Sequence, residues 1–349
     1  MNTSVIYLFY GFLVILILSY AAERILEWLN IRNWPHAVPE IIQDIFPEDK
    51  FNEARKYQLS NYNVDLLEST LTFILTIGFL YFGGFAWLDS IVRSLTDNLI
   101  FQTLIFFGII AAIGFIIKLP FDIYDTFGIE TRFGFNTTTP KVYFTDQLKS
   151  ALIAIIIGVP LLSFIVFLYQ KTGPYFWVLV WVVISLFTLF MSLFYSNLIV
   201  PLFNKQTPIA EGELRDAIEE FSRKAGFKVK DIYVIDSSKR SNKANAYFTG
   251  LGPEKRIVLF DTLVNNFTTE EILAVLAHEI GHYKHHHTTK GLITSLVQMG
   301  VILFIFSLFV KPGSELTEIL CNAVAGAKPV SPSFYMGLIG FSLLFSPIS

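Results

Sequence analysis

The sequence predicts a mainly α-helical membrane protein with a small hydrophilic α+β unit. Of its 349 residues, 53% are hydrophobic and only 16% are charged, whereas about 25% of residues are charged in an ordinary soluble protein. The chain also contains a series of apolar stretches close to the length of about 20 residues that a helix needs to cross a bilayer. We therefore expect a protein that passes through the membrane several times.

Seven apolar stretches are predicted to form transmembrane helices, because a helix satisfies its backbone hydrogen bonds internally. They are residues 4–22, 66–88, 99–120, 150–169, 175–200, 291–310 and 334–349. The first stretch lacks the basic n-region and the small-residue cleavage site of a signal peptide, so it is predicted to be a retained span. The last is only 16 residues long, and we expect it to be incomplete.

The distribution of basic residues predicts the orientation of these helices. Loops 23–65, 118–149 and 201–290 carry 22 of the 26 Lys and Arg residues. Because cytoplasmic loops are enriched in Lys and Arg, these loops are predicted to be cytosolic and the N-terminus to lie outside. The net charge of −3 gives no basic surface for nucleic acid. Membrane lipid is an expected partner, and nucleic acid is not.

This topology divides the chain into three predicted segments. Residues 1–200 hold helices one to five with their cytosolic loops, residues 201–290 form a cytosolic unit, and residues 291–349 hold the last two helices. In the cytosolic unit, the pattern of apolar residues predicts an amphipathic helix and three strands. The helix covers residues 211–227, and the strands cover 231–236, 245–253 and 255–261, with a Gly/Pro turn after the second strand.

The sequence AVLAHEIGH, residues 274–282, carries the pattern of a helical zinc site. Thr268 and Glu271 predict a capping box at the start of this helix. Since four residues make about 400° of helical turn, His278 and His282 project from one face and can bind one Zn²⁺ ion. Glu279 lies beside them, placed to accept a proton from a zinc-bound water. The alternative is a pair of surface histidines, which the rarity of this spacing disfavours.

Several segments together resemble the signature blocks of the type I CAAX prenyl proteases, which are integral-membrane zinc endopeptidases. These segments are AVLAHEIGH, SNKANAYFTGLGPEKRIVLFDTLV, IVPLFNKQTP, TRFGFNTTTP and KFNEARKYQLSNY. The resemblance implies that the seven helices form an α-helical barrel around a chamber, with the zinc site at its cytosolic end. The fold class is thus a mainly α membrane barrel with a small cytosolic α+β zinc metalloprotease unit.

The resemblance also implies roles for individual residues. It implies zinc ligands at His278 and His282, the general base at Glu279, and a strand holding Asn245 and Ala246 that pairs with the substrate backbone. An exposed edge strand binds an extended peptide through main-chain hydrogen bonds. Asn245 as a simple turn residue stays an open alternative, and the segments PLFNK and TRFGFN are assigned no chemistry.

The sequence departs from the pattern of this family at the third zinc ligand. That ligand is a Glu in an E-x-x-A-D segment on a later helix, and no such segment follows His282. Glu315 and Glu318 lie in a loop that is predicted to be on the opposite side of the membrane. We therefore expect a C-terminally truncated chain that lacks the third ligand and the oxyanion donors. His285–His287 is interpreted as a polar helix end at the membrane surface.

The predicted function is a zinc-dependent membrane endopeptidase that cleaves near extended peptide or protein C-termini. In the ER membrane of a eukaryote the resemblance implies prenylated CaaX substrates, and in a bacterial inner membrane it implies clearance of membrane proteins. The alternatives are a bacterial quality-control zinc protease and a receptor or transporter that keeps the barrel without catalysis. An intact Glu279 between two ligands weighs against a non-catalytic protein, and the sequence supplies too few ligands for a closed structural zinc site.

Overall fold

The computed structural model describes residues 2–226, 231–249, 256–311 and 313–348. These residues form a mainly helical protein with one small β-sheet. The helices are α1 (Thr3–Arg32), α2 (Glu48–Tyr81), α3 (Gly84–Leu95), α4 (Leu99–Tyr124), α5 (Pro140–Thr172), α6 (Phe176–Leu198), α7 (Val200–Phe203), α8 (Glu213–Lys224), α9 (Asp261–Asn266), α10 (Thr269–Lys284), α11 (His287–Phe309), α12 (Glu315–Val324) and α13 (Phe334–Phe345). The strands are β1 (Gln206–Pro208), β2 (Asp231–Ile235), β3 (Ala246–Thr249) and β4 (Arg256–Phe260).

Five helical stretches in the described part of the chain are long and apolar enough to cross a membrane. One of them, Pro140–Phe203, is 64 residues long and contains both α5 and α6, which correspond to two of the predicted spans. Helix α13 is apolar but only 12 residues long, so it does not by itself reach the length of a span. The total of seven membrane-spanning helices stays a prediction.

The chain packs as two compact units. The first contains Met1–Phe133, Gly158–Trp177 and Leu303–Ser349, and the second contains Gly134–Ile157 and Val178–Ile302. These units are defined by packing within each of them, whereas the three predicted segments are defined by membrane topology, which stays a prediction.

The first unit has an aromatic and aliphatic core between its helices. Its fully buried side chains include Phe12, Leu88, Phe106, Leu320 and Tyr335. The hydroxyl of Tyr335 donates a hydrogen bond to the carboxylate of Asp89 at 2.5 Å, and Arg93 Nε donates to the same carboxylate at 2.9 Å. The buried charge of Asp89 is therefore paired, as burial of a carboxylate requires.

A tight turn interrupts the second predicted span, which was expected to continue to residue 88. Helix α2 ends at Tyr81, and Gly83 adopts a left-handed conformation with a φ of 74° before α3 begins. Gly326, which also has a left-handed φ of 73°, packs directly against this turn. A Cβ atom on Gly326 would lie 2.9 Å from the Cα of Gly83 and 3.1 Å from the carbonyl oxygen of Leu80.

The second unit contains a four-stranded sheet in the order β1-β2-β4-β3. Strands β2 and β4 are parallel, from the pair Asp231↔Arg256 to the pair Ile235↔Phe260. Strands β1 and β3 are antiparallel to their neighbours, and each forms one edge of the sheet. The three predicted strands match β2, β3 and β4, while β1 was not predicted because it is short and ends at Pro208. The predicted Gly/Pro turn after β3 lies outside the described residues.

The contact at Gly326 yields a prediction about stability. Gly326→Ala should lower the free energy of unfolding by about 2–5 kcal/mol, since alanine is strained at a left-handed φ and its Cβ would collide with backbone. Gly78→Ala is the matched control, because Gly78 is helical and a Cβ atom added to it would meet no atom within 4 Å. Thermal unfolding in detergent measures both variants. Equal midpoints would contradict the packing of the turn.

Candidate functional site

Helix α10 is fixed at its start by a capping box and along its length by the core of the second unit. The backbone N–H of Thr268 donates to Glu271 Oε2 at 2.8 Å, and the backbone N–H of Glu271 donates to Thr268 Oγ1 at 3.3 Å. This pair of bonds confirms the predicted cap. Ile272 and Leu276 lie in a buried cluster that also contains Ala246 of β3. The helix is therefore anchored to the edge strand of the sheet.

The two histidines of the HEIGH sequence meet on the exposed side of α10. The Nε2 atoms of His278 and His282 lie 3.2 Å apart, and both side chains are exposed. Two nitrogen ligands at about 2.0–2.1 Å from a tetrahedral ion would be about 3.3–3.4 Å apart. The observed separation agrees with this value, so the two side chains present here fit a shared metal ion.

Glu279 lies between the histidine face and the buried face of the helix. Its side chain is half-buried, whereas the next residue, Ile280, is fully buried in the core. A helical step of one residue is about 100°, so the carboxyl group of Glu279 projects beside the histidines rather than along the same line. This position suits a group that acts next to the ion without being one of its ligands.

A third protein ligand for this ion is absent from the described part of the chain. No group of three or more His, Cys, Asp and Glu side chains there could hold a metal ion. Glu315 and Glu318, which were predicted to lie on the opposite side of the membrane, belong to α12 in the first unit. His278 and His282 belong to the second unit. The candidate metal site in the described residues therefore consists of His278 and His282.

A contact that the sequence did not predict adds another histidine beside the pair. His287 Nδ1 lies 2.9 Å from His282 Nδ1, the ring nitrogen that does not face His278. The segment interpreted as a polar helix end is a break between two helices: α10 ends at Lys284, His286 has a left-handed φ of 55°, and α11 begins at His287.

Of the predicted substrate-binding residues, Ala246 is the first residue of the edge strand β3 and Asn245 directly precedes it. The carbonyl of Asn245 accepts a hydrogen bond from the N–H of Phe260 at 3.0 Å, so it points toward β4. Because backbone groups alternate sides along an antiparallel strand, the N–H and C=O of Ala246 point away from β4. The side chain of Asn245 accepts a bond from the N–H of Ala246 at 2.8 Å. The edge strand therefore offers backbone groups beside the helix that carries the histidines.

Arg240 joins three separate segments of the second unit just before this edge strand. Its guanidinium donates to both carboxylate oxygens of Asp146, at 2.7 and 3.0 Å, and to Asn204 Oδ1 at 2.8 Å. Its carbonyl accepts bonds from the N–H of Thr137 at 3.3 Å and from the hydroxyl of Thr138 at 2.9 Å. The planar guanidinium makes a two-point contact that a lysine would lose.

The segments TRFGFN and PLFNK, for which no chemistry was predicted, have a structural role. Asn136 forms a bridge with Ser241, and Asn242 bonds to the carbonyls of Phe135 and Gly134, both at 2.9 Å. With Asn204 of PLFNK bonded to Arg240, both segments hold the chain that leads into β3. No local pattern in the sequence could reveal this, because Asn204 is 36 residues from Arg240 and Gly134 is 108 residues from Asn242.

Asp261 holds the beginning of the segment that connects β2 to β3, where Ser237 and Ser238 lie. Burial by itself would raise the pKa of its carboxyl group, but hydrogen bonds from the hydroxyls of Ser238 and Ser237 and from the N–H groups of Ser238 and Thr262 outweigh it and lower the pKa. A lowered pKa in the folded state stabilises the fold above the unfolded pKa of about 4, and the effect is lost as pH falls through the lowered value.

Comparison with known proteins identifies the family. A family model described as "CAAX prenyl protease N-terminal, five membrane helices" matches residues 27–205, and the model of peptidase family M48 matches residues 208–339. The chain belongs to the CAAX prenyl protease branch of family M48. It is a membrane metalloendopeptidase and a multi-pass integral membrane protein, as the sequence predicted.

Individual M48 relatives support this assignment across most of the chain. The chain is 34% identical over 318 residues to a CAAX prenyl protease 1 homolog of Dictyostelium discoideum, covering 89% of this chain and 73% of the relative. It is 32% identical to the Arabidopsis thaliana homolog, covering 88% and 76%. The structure of S. mikatae Ste24p matches with a TM-score of 0.88 at 28% identity, covering 100% of this chain and 83% of that one.

The contacts of Arg240 in this M48 protein yield a prediction. Arg240→Ala should lower the free energy of unfolding by about 1–3 kcal/mol, less than for a fully buried pair because both partners keep some exposure. Lys239→Ala is the matched control: Lys239 pairs with Asp236 but is 63% exposed, and its loss should cost no more than about 1 kcal/mol. Thermal unfolding in detergent compares them. Similar losses in both variants would refute the role of Arg240.

Proposed function

We propose that the protein is a zinc-dependent endopeptidase that cleaves extended peptides at the membrane surface. The observation that carries this proposal is the 3.2 Å separation of the Nε2 atoms of His278 and His282. These two nitrogens would hold the ion, and their chemistry suits zinc, which takes imidazole ligands readily. Both lie on a helix packed against the edge strand β3, to which an extended peptide would add as a further strand.

Glu279 is the proposed general base. A zinc ion held by the two histidines would supply Lewis acidity, which would polarise a scissile carbonyl and lower the pKa of a water molecule. Glu279 then takes the proton of the attacking water and later delivers it to the leaving amine, since one carboxyl group can serve both steps. Its half-buried position beside the two ligands keeps it close to the reacting atoms without occupying a ligand position.

The edge strand β3 is the proposed binding site for the substrate backbone. An extended peptide can pair with the outward N–H and C=O of Ala246 through main-chain hydrogen bonds. To do so it displaces the side chain of Asn245 from the Ala246 N–H, where it now bonds at 2.8 Å. The names of the relatives support prenylated protein C-termini as the substrates.

We also propose how the helices and the metalloprotease unit are arranged in the membrane. Seven helices form a barrel around a chamber, residues 201–290 form the cytosolic metalloprotease unit, and the N-terminus lies outside. The uneven distribution of Lys and Arg supports this orientation. The ER membrane would be the location in a eukaryote, where prenylated substrates occur, and the inner membrane would be the location in a bacterium.

The division of roles between ligands and base gives a mechanistic prediction. Glu279→Gln should keep bound zinc but lower peptide cleavage by several orders of magnitude, because it removes the base and leaves both ligands. His278→Ala should lose the metal as well as activity. Glu270→Gln, on the exposed first turn of the same helix, is the matched control and should behave as wild type. Elemental analysis and cleavage of a quenched peptide measure the two properties.

Three outcomes would contradict these roles. Stoichiometric zinc in His278→Ala would show that this residue is not a ligand. Wild-type cleavage by Glu279→Gln would show that the base lies elsewhere. A fall in zinc content equal to the fall in activity would mean that Glu279 acts as a ligand.

The proposed orientation predicts the labelling of introduced cysteines by a membrane-impermeant reagent. Asp216→Cys in α8 should react only from the cytosolic side, and Glu318→Cys in α12 only from the other side. Both positions are exposed. The native Cys321 is fully buried, so it cannot report topology and should add no background in the folded protein. Reaction of both introduced cysteines from one side would contradict the orientation.

A further inference from the structure

The unexplained contact between His287 and His282 points to a role in the metal site. His282 offers one ring nitrogen, Nε2, toward His278 at 3.2 Å, and the other, Nδ1, toward His287 at 2.9 Å. The two contacts therefore use opposite edges of one imidazole. His287 does not compete for the position between the two Nε2 atoms, because its Nδ1 lies against the far nitrogen of the ring.

We propose that His287 is a positioning residue that accepts a hydrogen bond from His282 and thereby orients this zinc ligand. The inference rests on the proposed zinc site. A histidine that binds a metal through Nε2 must carry its hydrogen on Nδ1, and metal-bound histidines usually donate that hydrogen to a polar partner. Here the partner is the Nδ1 of His287, so the hydrogen of His287 is on its own Nε2.

The backbone conformation between α10 and α11 brings His287 next to His282. In a continuous helix, a five-residue step turns about 500°, which would direct His287 roughly 140° away from His282. The left-handed φ of 55° at His286 breaks the helix there, and α11 begins at His287 with the N–H of Lys290 bonded to the His286 carbonyl at 2.8 Å. The break therefore makes the contact possible.

A second ring restricts the orientation of His287. The imidazole of His285 stacks on that of His287, with ring centroids 5.5 Å apart and planes at 21°. The ring of His282 meets His287 at 5.0 Å and 74°. Stacking on one side and a hydrogen bond on the other hold the acceptor nitrogen in position, which lowers the cost of fixing the His282 ring for metal binding.

Zinc affinity of the purified chain in detergent tests this role without relying on catalysis. His287→Ala should weaken zinc binding by about 10- to 100-fold, the range found when an outer-shell partner of a ligand is removed. His287→Asn should retain most of the affinity, because its side-chain oxygen can accept the same hydrogen bond. His286→Asn is the matched control, since asparagine tolerates the left-handed backbone, and it should bind as wild type.

A spectroscopic readout separates positioning from a general loss of structure. The visible spectrum of bound Co²⁺ reports the geometry of its ligands, and we expect it to change in His287→Ala and to recover in His287→Asn. Metal-free thermal midpoints should agree among the variants. The positioning role alone would be overturned if His287→Ala bound zinc as tightly as the wild type. It would also be overturned if His287→Asn or His286→Asn lost as much zinc affinity as His287→Ala. No zinc binding by the wild type would overturn the proposed function and this inference with it.

Discussion

The site depends on the packing of α10 against the edge strand β3 through one shared apolar core. Ile272 and Leu276 of the helix and Ala246 of the strand belong to the same buried cluster. Apolar contact of this kind is worth about 25 cal/mol for each Å² removed from water, and it fixes the two elements side by side. His278 and His282 are exposed on the same helix, and the N–H and C=O of Ala246 point toward the outer edge of the strand.

Hydrogen bonds then fix the orientation of backbone segments and side chains that apolar packing does not determine. Arg240 and Asn242 connect the start of β3 to segments about 100 residues earlier, and Asp261 holds the preceding turn through Ser237 and Ser238. On the helix, the left-handed residue His286 places His287 against His282. Such bonds are individually modest, about 0.5–1.5 kcal/mol each, but together they restrict the direction in which each functional group points.

The sequence predicted the features that arise from local periodicity. The capping box at Thr268 and the facing histidines follow from helical spacing, and β2, β3 and β4 follow from short β-branched and aromatic runs. It did not predict the role of Arg240, whose partners are distant in sequence, or the contact of His287, which requires a helix break. The second predicted span was too long because hydropathy does not register the left-handed turn at Gly83, and strand β1 carries no strong apolar signal.

X-ray absorption of the zinc-loaded protein would report directly whether His278 and His282 hold the metal. We expect two imidazole nitrogens at about 2.0–2.1 Å from the ion, the distance typical of zinc, with no sulfur in the coordination shell. We also expect the imidazole signal to disappear in the variant that carries both His278→Ala and His282→Ala. A sulfur ligand, or an imidazole signal that survives in the double variant, would contradict the claim that these two residues of the HEIGH helix hold the metal.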